Sequence, residues 1–166
     1  MLADGSLVRC SKKENRDLFD ALPWSYGTLG LLVSVTLSLV PCKPYIKIEY
    51  HPCTTKASGV AKFTELSEAD DAADFVEALG YSAEHMVVMP AWFATEAEAK
   101  AAKAPINRIG LWYKPWFYKH VASLLHKQGP VTEYIPLREY YHRHTKSIFW
   151  ELEQIIPVGN HPLFRL

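Results

Sequence analysis

The feature that most constrains the fold of this chain is a run of alternating side chains between Leu29 and Pro41, with the sequence LGLLVSVTLSLVP. Valine and leucine occupy every second position from 33 to 39, and serine and threonine lie between them. Because successive side chains of a β-strand point to opposite faces, this period predicts a strand with one buried face. The stretch YIKIEY at 45–50 predicts a second strand.

The first ten residues predict half of a β-hairpin. Asp4-Gly5 is a two-residue turn signal, since both central positions of a type I′ turn need positive φ, and residues 6–10 fit the outgoing strand. Only residues 1–3 precede the turn, which is too short for a partner strand. We therefore expect the chain to be a fragment of a longer protein.

Apolar residues at helical spacing predict four helices in the rest of the chain. Their apolar stripes are Val60, Phe63 and Leu66; Phe75, Val76 and Leu79; Phe117, Val121, Leu124 and Leu125; and Ile148, Phe149, Leu152, Ile155 and Ile156. Ser67 is the predicted N-cap of the second helix, and Gly80 ends it.

The stretches between these helices complete the prediction of an α+β fold. HMVVMPAWF, at 85–93, predicts a strand, and Pro90 indicates a sheet edge or an irregular end, because proline donates no hydrogen bond to a neighbouring strand. ATEAEAKAAKA, at 94–104, predicts a solvated helix. A capping box at 11–14 precedes a short helix that ends at Leu22.

Charge and cysteine content exclude several classes of function. Lysine plus arginine total 18 and aspartate plus glutamate total 18, so the protein lacks the basic field that nucleic-acid binding requires. Cys10, Cys42 and Cys53 form no C-x-x-C pair, which indicates free thiols. The longest apolar run, 29–41, is too short to cross a bilayer.

The stretch EYIPLREYYHRHTKSIFWELEQIIP, at 133–157, carries the candidate chemistry. On a strand, His142 and His144 would share a face and could ligate a metal, but no third ligand is obvious nearby. Alternatively, His142, Tyr140 or Tyr141 can act as a general acid. The third interpretation, which the residues alone favour, is that these polar groups bond a buried connection to the backbone.

Two further stretches have the composition of ligand contacts. Gly27 and Gly30 precede the first predicted strand, where glycine lets the backbone approach a phosphate closely, although plain turns have the same composition. KPWFYKH, at 114–120, mixes cationic and aromatic groups that can stack on a flat cofactor. It equally fits a helix start with Pro115 at the first position and packed aromatics.

Three stretches carry a family resemblance. DLFDALPWSYGTLGLLVSVTLSLVP resembles the end of the FAD-binding domain of the delta-24-sterol reductases, the Diminuto/Dwarf and seladin proteins, which are vanillyl-alcohol-oxidase-like flavoproteins. YKPWFYKHV and EYIPLREYYHRHTKSIFWELEQIIPVGN are similar to that family's own sequence. The resemblance implies that residues 1–43 are the C-terminal end of a PCMH-type FAD-binding domain, and that 44–166 are the first part of an α+β substrate domain.

The resemblance also implies an activity. Family members reduce the side-chain double bond of a sterol with NADPH through bound FAD, at the endoplasmic reticulum membrane, to which an N-terminal anchor holds them. The family's main FAD-binding segment is expected before residue 1. The alternatives are an inactive fragment that acts at most as a binding module, and an FAD-linked alcohol or sugar oxidase.

By position, the resemblance implies two sets of site residues. The cofactor contacts are Gly27, Thr28, Gly30, Leu31 and Lys114. The family's tyrosine-histidine-arginine-histidine run matches Tyr140, Tyr141, His142, Arg143 and His144, for which we hypothesise a catalytic role. Tyr141 or His142 is the expected proton donor, and Arg143 or Lys114 is expected to hold negative charge on the flavin or NADPH. No metal ligand is predicted.

Overall fold

The computed structural model describes residues 1–145 and divides the chain into two compact units, Met1–Pro41 and a second that begins at Cys42. The first unit contains one short helix, α1 (Arg16–Ala21), among turns. A turn forms over residues 2–5, where the Gly5 N–H donates to Leu2 O at 3.0 Å and Gly5 has φ of +83°. Asp4 does not have positive φ, so the turn is not the predicted type I′, and residues 6–10 form no strand.

The alternating run at 31–40 is not a strand, and that prediction is wrong. Its valines and leucines are between 60% and 95% exposed, and no described strand pairs with it. Alternation specifies which side chains share a face, but a strand forms only where a neighbour accepts its backbone hydrogen bonds. The described residues supply no such neighbour.

The second unit is built on a four-stranded sheet in which every neighbouring pair is antiparallel. The strands are β1 (Tyr45–Cys53), β2 (Phe75–Gly80), β3 (Met86–Ala94) and β4 (Val131–Pro136), in the order β2-β3-β1-β4. The helices are α2 (Lys56–Glu68), α3 (Glu96–Ala101), α4 (Phe117–Ala122) and α5 (Leu137–Tyr141). The predicted α+β class is confirmed.

One face of the sheet carries the main core. Alternate residues of β1, β3 and β4 point toward α4 and α5, as strand geometry requires. The buried members of this cluster are Ile46, Ile48, Tyr50, Val87, Met89, Ala91, Phe117, Val121, Leu124, Ile135 and Tyr140. Glu77 and Glu133 occupy the same inward-facing positions on β2 and β4, so two carboxylates lie at the borders of an apolar face.

Two predictions for the sheet are wrong. Residues 75–80 form β2 rather than a helix. So short an apolar run fits the period of a helix and that of a strand equally well, and the pairing of Phe75 with Ala91 selects the strand. Strand β3 is not an edge strand, since β2 and β1 flank it. Its pairing with β1 skips the position of Pro90, whose missing N–H is thereby tolerated.

The helix predictions at 60–66, 94–104 and 117–125 are confirmed with different bounds: α2 is longer than its predicted stripe, and α3 and α4 are shorter than predicted. Helix α4 begins at Phe117, so Pro115 does not occupy its first position. Thr55 and Thr95 cap α2 and α3, and each takes part in a reciprocal capping box with the residue three positions later. The helix predicted at 147–156 lies outside the described residues. Within 1–145, no helix has the length and apolar character needed to cross a membrane.

Candidate functional site

A cleft of about 300 Å³ lies between the loop before α4 and the end of α5. Its described lining residues are Ile109, Gly110, Leu111, Lys114, Trp116, Phe117, Arg138, Glu139, His142, Arg143 and Thr145. The walls are mainly apolar and aromatic, and the charged lining residues are Lys114, Arg138, Glu139 and Arg143. The cleft thus brings together Lys114, His142 and Arg143, three residues that were predicted as site residues.

Glu139 of α5 holds the loop that forms the opposite wall. Its Oε2 accepts the Gly110 N–H at 2.8 Å, and its Oε1 accepts a hydrogen bond from Arg108 Nε. A Cβ on Gly110 would lie 3.2 Å from the Glu139 side chain, so glycine permits this close approach. The carboxylate therefore ties the loop to the helix and fixes the width of the cleft.

The side chains of residues 140–144 point in different directions. They lie on the last turn of α5 and the turn after it, so His142 and His144 do not share the face of a strand. His142, which is itself exposed, and Arg143 line the cleft. Tyr141 is not among the lining residues; it is 54% exposed and contacts Phe75 edge-on. Tyr140 is buried, its Oη has no partner among the described residues, and burial raises its pKa to about 12.

Glu77 on β2 anchors the turn that carries Arg143 and His144. Its Oε2 accepts hydrogen bonds from Arg143 Nε at 3.0 Å and Nη2 at 2.9 Å, and its Oε1 lies within hydrogen-bonding distance of His144 Nε2. Burial alone would raise the pKa of Glu77, but the hydrogen bond from His144 and the charge of Arg143 hold it below its ordinary value. Sequence reasoning missed this residue because it assigned 75–80 to a helix.

A second carboxylate network lies at the other border of the sheet. Glu133 Oε2 accepts hydrogen bonds from His120 Nε2 at 2.9 Å, Asn107 Nδ2 at 3.0 Å and Tyr50 Oη at 3.1 Å, with the imidazole proton on Nε2. Burial alone would raise the pKa of Glu133, but these donors hold it below its ordinary value. Sequence reasoning missed this network as well; the available signal was a glutamate at an inward position of the alternating stretch VTEYIP.

The predicted cofactor residues Gly27, Thr28, Gly30 and Leu31 lie in the first unit. The Thr28 N–H donates to Ser25 O at 3.0 Å, and the Leu31 N–H donates to Met1 O at 2.8 Å. A Cβ on Gly30 would lie 2.8 Å from the same Met1 carbonyl oxygen. In this conformation the Thr28 and Leu31 amides are bonded inside the chain, so these two amides do not point to a phosphate.

A metal centre has no support from the geometry of residues 1–145. No group of three or more histidine, cysteine, aspartate or glutamate side chains in this range is arranged to hold a metal ion. Glu77, which contacts a histidine, also accepts a hydrogen bond from Arg143. Glu133, which contacts another histidine, also accepts hydrogen bonds from Asn107 and Tyr50.

Comparisons with known proteins identify the relationship. No protein-family model matches the chain. It is 50% identical over 165 residues to the human protein named Delta(24)-sterol reductase, and the match covers 99% of this chain. The protein of the same name from Pisum sativum is 44% identical over 175 residues, again across 99% of this chain. The chain belongs to the delta-24-sterol reductase family.

The chain spans 31% of the length of both of these relatives. A Delta(24)-sterol reductase homolog from Caenorhabditis elegans is 45% identical over 154 residues, which are 92% of this chain and 29% of that protein. The chain thus spans about a third of the length of these delta-24-sterol reductases. The match includes both units and every residue around the cleft.

Proposed function

We propose that this chain is part of a delta-24-sterol reductase that uses NADPH to reduce a carbon–carbon double bond in the side chain of a sterol. The observation that carries this proposal is the 50% identity to the human Delta(24)-sterol reductase across 99% of the chain. From the family resemblance we also propose FAD as the bound cofactor, which supplies the hydride, and the endoplasmic reticulum membrane as the location.

We propose that the cleft holds the reacting part of the sterol. Its apolar walls, which include Ile109, Leu111 and Phe117, offer the dispersion contacts and water exclusion that a hydrocarbon side chain needs. A volume of about 300 Å³ is at the small end of ligand pockets, which suits a branched side chain better than a whole ring system.

His142 is the proton donor that the geometry supports best. It lines the cleft, and imidazole is the side chain whose ordinary pKa lies nearest to neutral pH. Tyr140 is a poorer acid because burial raises its pKa to about 12, and Tyr141 is not among the lining residues. Lys114 also lines the cleft, and its proposed role is to hold negative charge on the flavin or NADPH.

The flavin contacts of Gly27, Thr28, Gly30 and Leu31 remain part of the proposal. They require the Thr28 and Leu31 amides to leave their present acceptors, Ser25 O and Met1 O. The phosphate-binding groups are therefore expected in the part of the relatives that this chain does not span.

A chimaera tests the proposed function directly. The matching segment of the human relative is replaced by this chain, and NADPH-dependent reduction of a sterol side-chain double bond is measured by mass spectrometry, with the unaltered human protein as control. We expect product from the chimaera. A folded chimaera that contains flavin and forms no product would contradict the proposal, and oxygen-dependent turnover without NADPH would indicate an alcohol or sugar oxidase.

A further inference from the structure

The guanidinium of Arg143 lines the cleft, yet all of its nitrogen atoms have partners. Nε and Nη2 donate to Glu77 Oε2 at 3.0 and 2.9 Å, and Nη1 donates to the Tyr140 carbonyl at 3.0 Å. Its central carbon also lies 4.0 Å from the centroid of the Tyr140 ring. The planar group therefore lies over the Tyr140 ring and is bonded along its edges, with both carboxylate contacts made to one oxygen of Glu77.

This pairing determines whether the charge of Arg143 is available to a ligand in the cleft. Arg143 and Glu77 are both mostly buried, with side-chain exposures of 16% and 22%, so solvent screens their interaction weakly. An anion that entered the cleft would have to compete with Glu77 for the guanidinium. An uncharged molecule does not compete with Glu77, because it does not form an ion pair with Arg143.

We propose that Glu77 is a specificity-determining residue: by holding Arg143 it lowers the affinity of the cleft for anionic molecules relative to uncharged apolar ones of the same shape. The identity of the uncharged ligand as a sterol rests on the proposed function. The charge selectivity itself does not, since it follows from the contacts of Glu77 and Arg143. The expectation that Arg143 holds negative charge on the flavin or NADPH is replaced by this role.

The test uses two fluorescent probes with one skeleton, neutral N-phenyl-1-naphthylamine and its anionic counterpart 1-anilinonaphthalene-8-sulfonate, titrated into the full chain. Glu77→Gln keeps the size of the side chain and removes its charge. We expect this variant to bind the sulfonate about tenfold more tightly than the parent chain, which corresponds to about 1.4 kcal/mol. Its affinity for the neutral probe should change less than threefold.

The double variant Glu77→Gln/Arg143→Gln is the matched control, because it removes both charges together. We expect its ratio of sulfonate to neutral-probe affinity to return to within threefold of the parent ratio. Glu77→Asp, which keeps the charge, should also stay near the parent ratio. The remaining charged lining groups, among them Lys114 and Arg138, are the same in all these variants, so they cannot cause a difference between them.

Two results would overturn the proposal. One is a parent-like ratio in a Glu77→Gln variant whose circular dichroism is native. The other is a tenfold loss of sulfonate binding in the double variant, which would show that Arg143 already binds anions in the parent chain. This second result can be obtained even if the single variant Glu77→Gln does not fold. Displacement of the neutral probe by a sterol separately tests the ligand; its failure would contradict the proposed substrate and leave the charge result standing.

Discussion

Glu77 and Arg143 are 66 residues apart in the sequence, and a single carboxylate oxygen of Glu77 accepts two hydrogen bonds from the guanidinium. The contact joins the outer strand β2 to the turn that follows α5. Because that turn also carries His142 into the cleft, the orientation of the proposed proton donor depends on a residue of the sheet. Glu133 performs a comparable task on the opposite border, where it joins β4 to His120 of α4.

Replacement of Glu133 by glutamine should destabilise the fold. The variant keeps the shape of the side chain but removes the charge that accepts three hydrogen bonds, and bonds to charged groups contribute about 1.5–3 kcal/mol. We expect the free energy of unfolding, measured in urea, to fall by about 2 kcal/mol. The control is Glu65→Gln in the exposed pair with Lys62, for which a loss above about 1 kcal/mol is not expected.

Stability should decrease in acid through both inward-facing glutamates. The pKa values of Glu77 and Glu133 are lower in the folded chain than the ordinary value of 4.5, so the unfolded state binds more protons below that value. Their stabilising contribution is complete above pH 4.5 and is lost as the pH falls through the folded-state values. Urea unfolding between pH 7 and pH 3 should show a shallower dependence in Glu77→Gln/Glu133→Gln; an unchanged slope would contradict the assignment.

Gly59→Ala should be destabilising although the position lies inside α2. In an exposed helix this change stabilises by about 1 kcal/mol, but here the new Cβ would overlap the Met86 side chain, which must move aside. Overpacking costs about 1–3 kcal/mol, so we expect a net loss of about 1 kcal/mol in urea unfolding. The sign should reverse in a Met86→Ala background, where the obstructing side chain is gone; a loss in both backgrounds would exclude this contact as the cause.

Tyr140→Phe should leave stability unchanged or raise it. The hydroxyl is buried and has no hydrogen-bond partner among residues 1–145, and removal of an unsatisfied polar group does not sacrifice a bond. We expect the free energy of unfolding to rise by up to about 1 kcal/mol. A drop of more than about 1 kcal/mol would mean that the Tyr140 hydroxyl has a stabilising partner.

The strands and helices that could be predicted from sequence are those whose hydrophobic period matches their pairing and packing in the fold. The alternation at 45–50 predicted the start of β1 correctly because β3 and β4 flank it on both sides. The same alternation at 33–39 failed, since no described strand pairs with it. Residues 75–80 failed because three apolar side chains in six residues fit a helix or a strand, and only the register with β3 distinguishes them.

The candidate site was predicted in part for the same reason. The resemblance and the composition pointed to Lys114, His142 and Arg143, which the fold brings to one cleft. The carboxylates that position the site could not be predicted. Glu77 and Glu139 form hydrogen bonds with residues 66 and 29–31 positions away in the sequence, and no local motif marks them. Such pairings depend on sheet order and helix placement, which short-range periodicity does not encode.

The most direct test of the central claim is the turnover number of the chimaera after His142→Gln. General acids contribute about 10²–10⁴-fold to rate, so we expect NADPH-dependent sterol reduction to fall by at least about 100-fold, with flavin content unchanged. Tyr140→Phe in the same chimaera should stay within about threefold of the parent. Turnover of the His142→Gln chimaera within threefold of its parent would contradict the assignment of the cleft as the site of protonation.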